Sequence, residues 1–140
     1  GKKTPQRIAE SPARDRSHLT GFRTDAPQVL AACDACILPA LKREGLPKAV
    51  IEGMVHGVTP IVTNSGGSPE LIEQGKSGLI IPPGSSRAIA DAIAQLYADR
   101  DNCRRMGEEA QQRIQRDFHT SKTVEQTLSV YQELLGTAPA

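Results

Sequence analysis

No apolar run in these 140 residues approaches the length of a membrane span, and no signal peptide is visible. Nor is there an excess of one charge. Seventeen Lys and Arg stand against sixteen Asp and Glu, and a net charge of +1 argues against a chain built mainly to hold nucleic acid. Cysteine is scarce: three, irregularly spaced, make no disulfide framework, so a reducing, cytoplasmic compartment is expected. Cys33-x-x-Cys36 lacks a second pair. Cys33 reads as helical and Cys36 as a strand residue, so the two thiols should point apart with no metal or redox role. No Gly-x-Gly-x-x-Gly follows a strand, which argues against a nicotinamide dehydrogenase. Asp99-Arg100-Asp101 has the spacing of a metal-binding acid pair but falls between two surface helices. Internal repeats and low-complexity tracts are missing too.

What remains is an ordinary globular composition, 38% hydrophobic and 24% charged, with enough length for one domain and a modest core. Residues 1–16 are polar and basic, with Lys2, Lys3, Arg7, Arg14 and Arg16, and read as a mobile lead or the remnant of an upstream element. From Ser17 short apolar runs alternate with helical patterns. Strands are expected at His18–Phe22, Ala35–Pro39, Thr59–Thr63 and Gly78–Ile81, with helices at about Pro27–Cys33, Pro47–His56 and Pro69–Gln74 between them. That alternation predicts an α/β fold, a Rossmann-like parallel sheet flanked by helices, over residues 17–140.

From Ser85 onward the chain reads as helical. Ser85 or Ser86 can cap a helix with the stripe Ile89, Ile93, Leu96 and Tyr97. Asp101 can start a second, with Met106, Ala110 and Ile114 inward, and the last carries Val124, Leu128, Tyr131 and Leu135 on one face. Ahead of these, Val50, Ile51, Met54 and Val55 form the apolar stripe of the Pro47–His56 helix. Glu52 lies off that stripe, four residues from both Lys48 and His56.

Glu44 and Glu52 carry the chemistry. Glu44 comes just before that helix and Glu52 lies within it; a buried strand leads in, and a second strand runs out into Gly66-Gly67. Carboxylates accept hydrogen bonds from sugar hydroxyls, and a helix N-terminus with a small-residue loop offers N–H groups to phosphate. Taken singly, Glu52 reads as a solvated partner of Lys48, and Glu44 as a loop acid near a helix dipole. The unit as a whole suits a polyhydroxylated, phosphate-bearing ligand.

In order, the chain shows Ile37-Leu38-Pro39, Glu44 through Glu52, Gly57-Val58-Thr59-Pro60-Ile61-Val62, and Gly66-Gly67-Ser68-Pro69-Glu70. Gly75-Lys76-Ser77-Gly78-Leu79, Pro82-Pro83-Gly84 and Tyr131-Gln132-Glu133-Leu134-Leu135 follow. This set resembles the nucleotide-sugar-binding domain of retaining glycosyltransferases of the GT-B fold, specifically glycosyltransferase family four, from about Leu19 to Leu135. The resemblance implies a metal-independent transfer that needs no cofactor, in which Glu44 supports charge developing at the anomeric carbon and Glu52 binds ribose hydroxyls. Backbone N–H groups of Gly45 and Leu46 would face sugar and diphosphate, while Pro47 has none to give. Arg23 would lie near the nucleobase, Lys48 would assist at phosphate or pair with Glu52, and Gly66 and Gly67 would form a loop of unusual backbone angles. Glu70 reads as support for a helix N-terminus.

Gly53 stands where the family usually carries alanine, at about 1 kcal/mol of helix propensity. The family's upstream phosphate-binding segment and its acceptor-binding domain have no counterpart in residues 1–16. The chain therefore resembles the C-terminal two-thirds of a donor-binding domain and is expected to be inactive by itself. In a full-length enzyme it would serve transfer from a nucleotide sugar to a glycan or lipid-linked acceptor, in the cytoplasm or peripheral to the inner membrane. A non-catalytic module binding nucleotide, glycan or a partner chain stays open, as does another GT-B-like enzyme, which the acid pair disfavours. A strand edge and the last helix's apolar face would lie exposed and favour self-association, unless that helix folds back on the sheet.

Overall fold

In the computed structural model, residues 4–42 and 44–136 are described; Lys2 and Lys3 lie outside them. Three parallel strands form one sheet in the order β1 (Ala35–Leu38), β2 (Thr59–Thr63), β3 (Leu79–Ile81). Every residue of the central strand β2 is buried, as expected for a strand covered on both faces. Pro60 is tolerated there because pairing with β3 begins one residue later, at Ile61↔Leu79, so its missing N–H breaks no ladder bond.

Strand alternation divides the core in two. Val62 faces a cluster with Val50 and Met54 of α3 (Lys48–Val55), Leu71 of α4 (Ser68–Leu71), Ile72, and Ala110 and Ile114 of α6 (Arg100–Asp117). Ile61, Leu79 and Ile81 face the other cluster, with Ala92 and Leu96 of α5 (Ser86–Ala98) and Cys103 and Met106 of α6. Helix α6 thus serves both faces. Its Gly107 packs so closely that a Cβ there would lie 1.9 Å from the Gly57 carbonyl oxygen, and Thr59 Oγ1 donates to the Cys103 carbonyl at 2.5 Å.

The first cap agrees with the sequence: Ser85 Oγ accepts from Ala88 N–H at 3.1 Å. The next helix is capped by Asp99, which accepts from Asn102 N–H at 2.9 Å, two residues ahead of the expected Asp101. Helix α3 matches its expected span to within a residue at each end.

Other expectations are corrected. His18–Phe22 is not a strand: Gly21 turns with φ +64°, Phe22 is 95% exposed, and no neighbouring strand pairs with the segment. Helix α2 (Ala26–Ala31) is shorter than expected. Helix α4 stops at Leu71, because Ile72 turns extended to bury its side chain and the Glu73 N–H is taken by Ser77 Oγ at 2.9 Å. Val55 is largely exposed; the inward face of α3 is Val50, Gly53 and Met54. Ile93 and Tyr97 also point out, because the three-stranded sheet is too narrow to cover them. They border an apolar cleft of about 360 Å³ beside Ile37 on β1. Residues Thr4–Ala9 form a helix (α1) and Arg14–Arg16 a 3-10 turn, neither with a buried residue. Helix α7 (Thr120–Leu135) does not fold back on the sheet: Val124, Leu128, Tyr131 and Leu135 are all exposed.

Candidate functional site

All three strands deliver their carboxyl ends to one edge, the side on which open α/β sheets bind ligands. The segment after β1 carries Glu44, and the segment after β2 carries Asn64, Ser65, Gly66 and Gly67. Two bonds tie this edge together: Thr63 Oγ1 donates to the Ala40 carbonyl at 2.8 Å, and Asn64 N–H donates to the Ile81 carbonyl at 2.8 Å.

The two loops are in close contact. Gly67 N–H donates to the Glu44 carbonyl at 3.0 Å. Gly66 has φ +59°, and a Cβ on it would fall 2.1 Å from that same oxygen. A Cβ on Gly67 would lie 2.8 Å from the Gly45 carbonyl oxygen and 3.4 Å from Leu46 Cδ2. Gly66 therefore satisfies both a left-handed backbone and a close approach, whereas Gly67 has ordinary angles and only the close approach. Between the loops opens a polar cleft of about 570 Å³ lined by Glu44, Asn64, Ser65, Gly66 and Gly67.

The structure thus brings Glu44, Gly66 and Gly67 to one cleft, while Gly45 and Leu46 pack against Gly67 and do not line it. The N–H of Gly67 is already bonded to protein, so its part is to hold the acidic loop. Glu52 and Lys48 pair with each other on α3, Nζ to Oε1 3.6 Å, and do not line the cleft. Arg23 lies elsewhere. Its guanidinium grips Asp25 through two bonds, at 2.8 and 2.5 Å, and this fork holds the Asp25 carboxyl below the usual carboxylate range. That grip also explains why Asp25, at the N-cap position of α2, makes no side-chain cap.

Sequence reasoning missed Asn64 and Ser65. Their only signal is position, directly after a buried parallel strand, where the switch-edge rule would have found them. Among the described residues no group of three or more His, Cys, Asp or Glu converges to hold a metal, and no helix is long and apolar enough to cross a membrane. Cys33 and Cys36 do point apart. Cys33 is not helical as expected but lies just past the end of α2, exposed, with its thiol donating to the Val29 carbonyl of that helix, whereas Cys36 packs against Gly53 of α3.

Comparison with known proteins gives three findings. Residues 2–113 match the family described as glycosyl transferases group 1. Among curated relatives, an N-acetyl-alpha-D-glucosaminyl L-malate synthase of Bacillus anthracis is 31% identical over 121 residues, covering 86% of this chain and 32% of its own length. A GDP-mannose-dependent phosphatidylinositol monomannoside mannosyltransferase of Mycobacterium tuberculosis is 37% identical over 100 residues, 64% of this chain and 26% of its own. The chain thus spans about a third or less of the relatives' length. The structure of Anabaena HepE, solved with UDP and with UDP-glucose, superposes with a TM-score of 0.81 for the UDP complex at 29% identity, over 90% of this chain and 35% of that one. The fold is accordingly that of the α/β domain of GT-B glycosyltransferases.

Proposed function

Because the chain belongs to the glycosyl transferases group 1 family, we propose that it forms the donor-binding part of a retaining, family-four glycosyltransferase. The parent enzyme would transfer a sugar from a nucleotide sugar to a glycan or lipid-linked acceptor. The observation that carries this reading is the clasp of Gly66 and Gly67 on the Glu44 loop, which makes Glu44 part of the lining of a polar cleft on the carboxyl edge of the sheet. A cleft of about 570 Å³ is the size of a small-molecule site. The HepE complexes with UDP and UDP-glucose support the ligand class.

In this reading Glu44 stabilises positive charge growing at the anomeric carbon, Glu52 accepts from the ribose hydroxyls, and Gly45 and Leu46 direct backbone N–H groups to sugar and diphosphate. Lys48 assists at phosphate and Arg23 near the base, each after leaving its present partner. Phosphate charge falls to backbone groups and Lys48, and the domain is assigned no metal. The protein is expected in the cytoplasm, with membrane contact peripheral.

A second reading, a non-catalytic nucleotide- or glycan-binding module, is favoured by one feature: none of the described residues lining the cleft is a Lys or Arg. Both readings therefore expect weak binding, on the order of millimolar, since phosphate binding leans on cationic partners. The test is a backbone amide NMR titration of the chain with UDP-, GDP- and ADP-sugars. Shifts confined to Arg23, Glu44–Leu46, Lys48, Glu52 and Asn64–Gly67 are expected with at least one donor. Shifts elsewhere, or none with any donor, would refute a donor site here. Turnover of the full-length enzyme separates the two readings: Glu44→Ala should lower kcat more than donor affinity, whereas a non-catalytic module turns over nothing.

A further inference from the structure

Helix α4 is only four residues long, too short to hold its own geometry. Its amino end is the clasp: Gly67 stands at the N-cap and donates to Glu44. Its carboxyl end is held by Arg113 of α6, whose side chain is 19% exposed. Arg113 Nε donates to the Leu71 carbonyl at 2.9 Å and Nη2 to the Glu70 carbonyl at 3.0 Å, two of the acceptors a helix end leaves unpaired. Nη1 donates to the Glu73 carboxylate at 2.6 Å and reaches Asp117 at 3.4 Å, and the guanidinium sits 5.8 Å from the Phe118 ring centre.

We propose that Arg113 is a positioning residue: by capping α4 it fixes where Gly66 and Gly67 hold the Glu44 loop, and hence where the carboxylate stands over the cleft. Leu71 is fully buried, but an apolar contact is non-directional and leaves the roll of the helix free. A planar fork on two successive carbonyls does not. Among the described residues the amino end shows no competing side-chain tie, and the buried Ser68 hydroxyl finds no partner. The significance given to Glu44 rests on the donor-site reading; the coupling of Arg113 to the clasp does not.

The experiment is residue-resolved amide hydrogen exchange on the whole chain, with UDP-glucose titrations alongside. In Arg113→Met the Gly67 amide should exchange about tenfold faster while Val62 in β2 is unchanged. Arg113→Lys keeps the charge but loses the fork, so it should behave alike and carries the measurement if the Met variant does not fold. Glu73→Gln leaves the carbonyl bonds and should leave Gly67 unchanged. Equal acceleration at Gly67 and Val62, no change at Gly67, or full rescue by lysine would each overturn the proposal. So would UDP-glucose shifts identical in pattern and affinity to wild type despite faster Gly67 exchange. Faster Gly67 exchange in a chain whose wild type shows no shifts with UDP-, GDP- or ADP-sugars would instead leave the coupling standing and refute the donor reading.

Discussion

Gly66 is the residue on which the cleft turns. Its φ of +59° costs an L-residue about 1–2 kcal/mol, and a methyl group there would meet the Glu44 carbonyl at 2.1 Å. Gly66→Ala should therefore lower the unfolding free energy by about 2–3 kcal/mol in urea titrations. Gly45→Ala, with open space around its Cβ and no positive φ, should change it by less than about 0.5 kcal/mol. Glu52 is the opposite case. Its ion pair with the exposed Lys48 contributes only about 0.3–0.5 kcal/mol, so Glu52→Ala should leave folding intact. In a complete enzyme the same change should weaken nucleotide binding by about 1.5–3 kcal/mol, measured by calorimetry. Unchanged affinity with lost stability would make Glu52 structural. The order of motifs foretold that Glu44 and the Gly66-Gly67 loop would share one edge, whereas Glu52 does not line the cleft. The clasp was not legible, because the bond from Gly67 to Glu44 joins positions far apart in the chain and involves only backbone atoms.

At the scale of elements, β1 and α3 fit each other through an exchange of volume. A Cβ on Gly53 would stand 2.8 Å from Cys36 Sγ, so the sulfur occupies the room that an alanine in the helix would need. Gly53→Ala gains about 1 kcal/mol of helix propensity yet should still destabilise. Combined with Cys36→Ala it should recover, with a coupling of about 0.5–3 kcal/mol in a double-mutant cycle. Simple additivity would show that the helix shifts to absorb the methyl. The same contact has a pH signature. Burial pushes the Cys36 thiol from its ordinary 9.0 up to about 11. Between those values the unfolded chain has lost the proton and the folded chain keeps it, so stability should fall as pH rises through that window. Cys36→Ala should flatten that slope in melting curves taken from pH 8 to 11. Sequence patterning found β2, β3 and α3 because buried apolar runs and caps are local signals. It placed Val55, Ile93 and Tyr97 inward because periodicity gives the direction of a face but not the width of the sheet that must cover it.

For the whole molecule, the sharpest division is between the body and α7. No residue of that helix is buried, so a chain ending after Phe118 should melt within a few degrees of the full chain. A chain ending after Asp99 loses Cys103, Met106, Ala110 and Ile114 and should show no cooperative transition. Exposed Val124, Leu128, Tyr131 and Leu135 should also drive self-association, seen as a concentration-dependent sedimentation coefficient that the chain ending after Phe118 lacks. A full chain that stays monomeric at high concentration would dismiss that expectation. The α/β class and the parallel sheet were readable from alternating strand and helix signals. The expected strand at His18–Phe22 failed because a strand is defined by its partner, which one segment's own pattern cannot supply.

Helix α6 seals both faces of the sheet, and it lies downstream of every strand. During synthesis, β1, β2 and β3 have all emerged before either half-core can close. Contacts of such long sequence separation are slow to form, and until they do the nascent chain displays open apolar surface and unpaired strand edges. Until Ile114 clears the ribosome, both half-cores of this domain stand open to proteases and to misassembly.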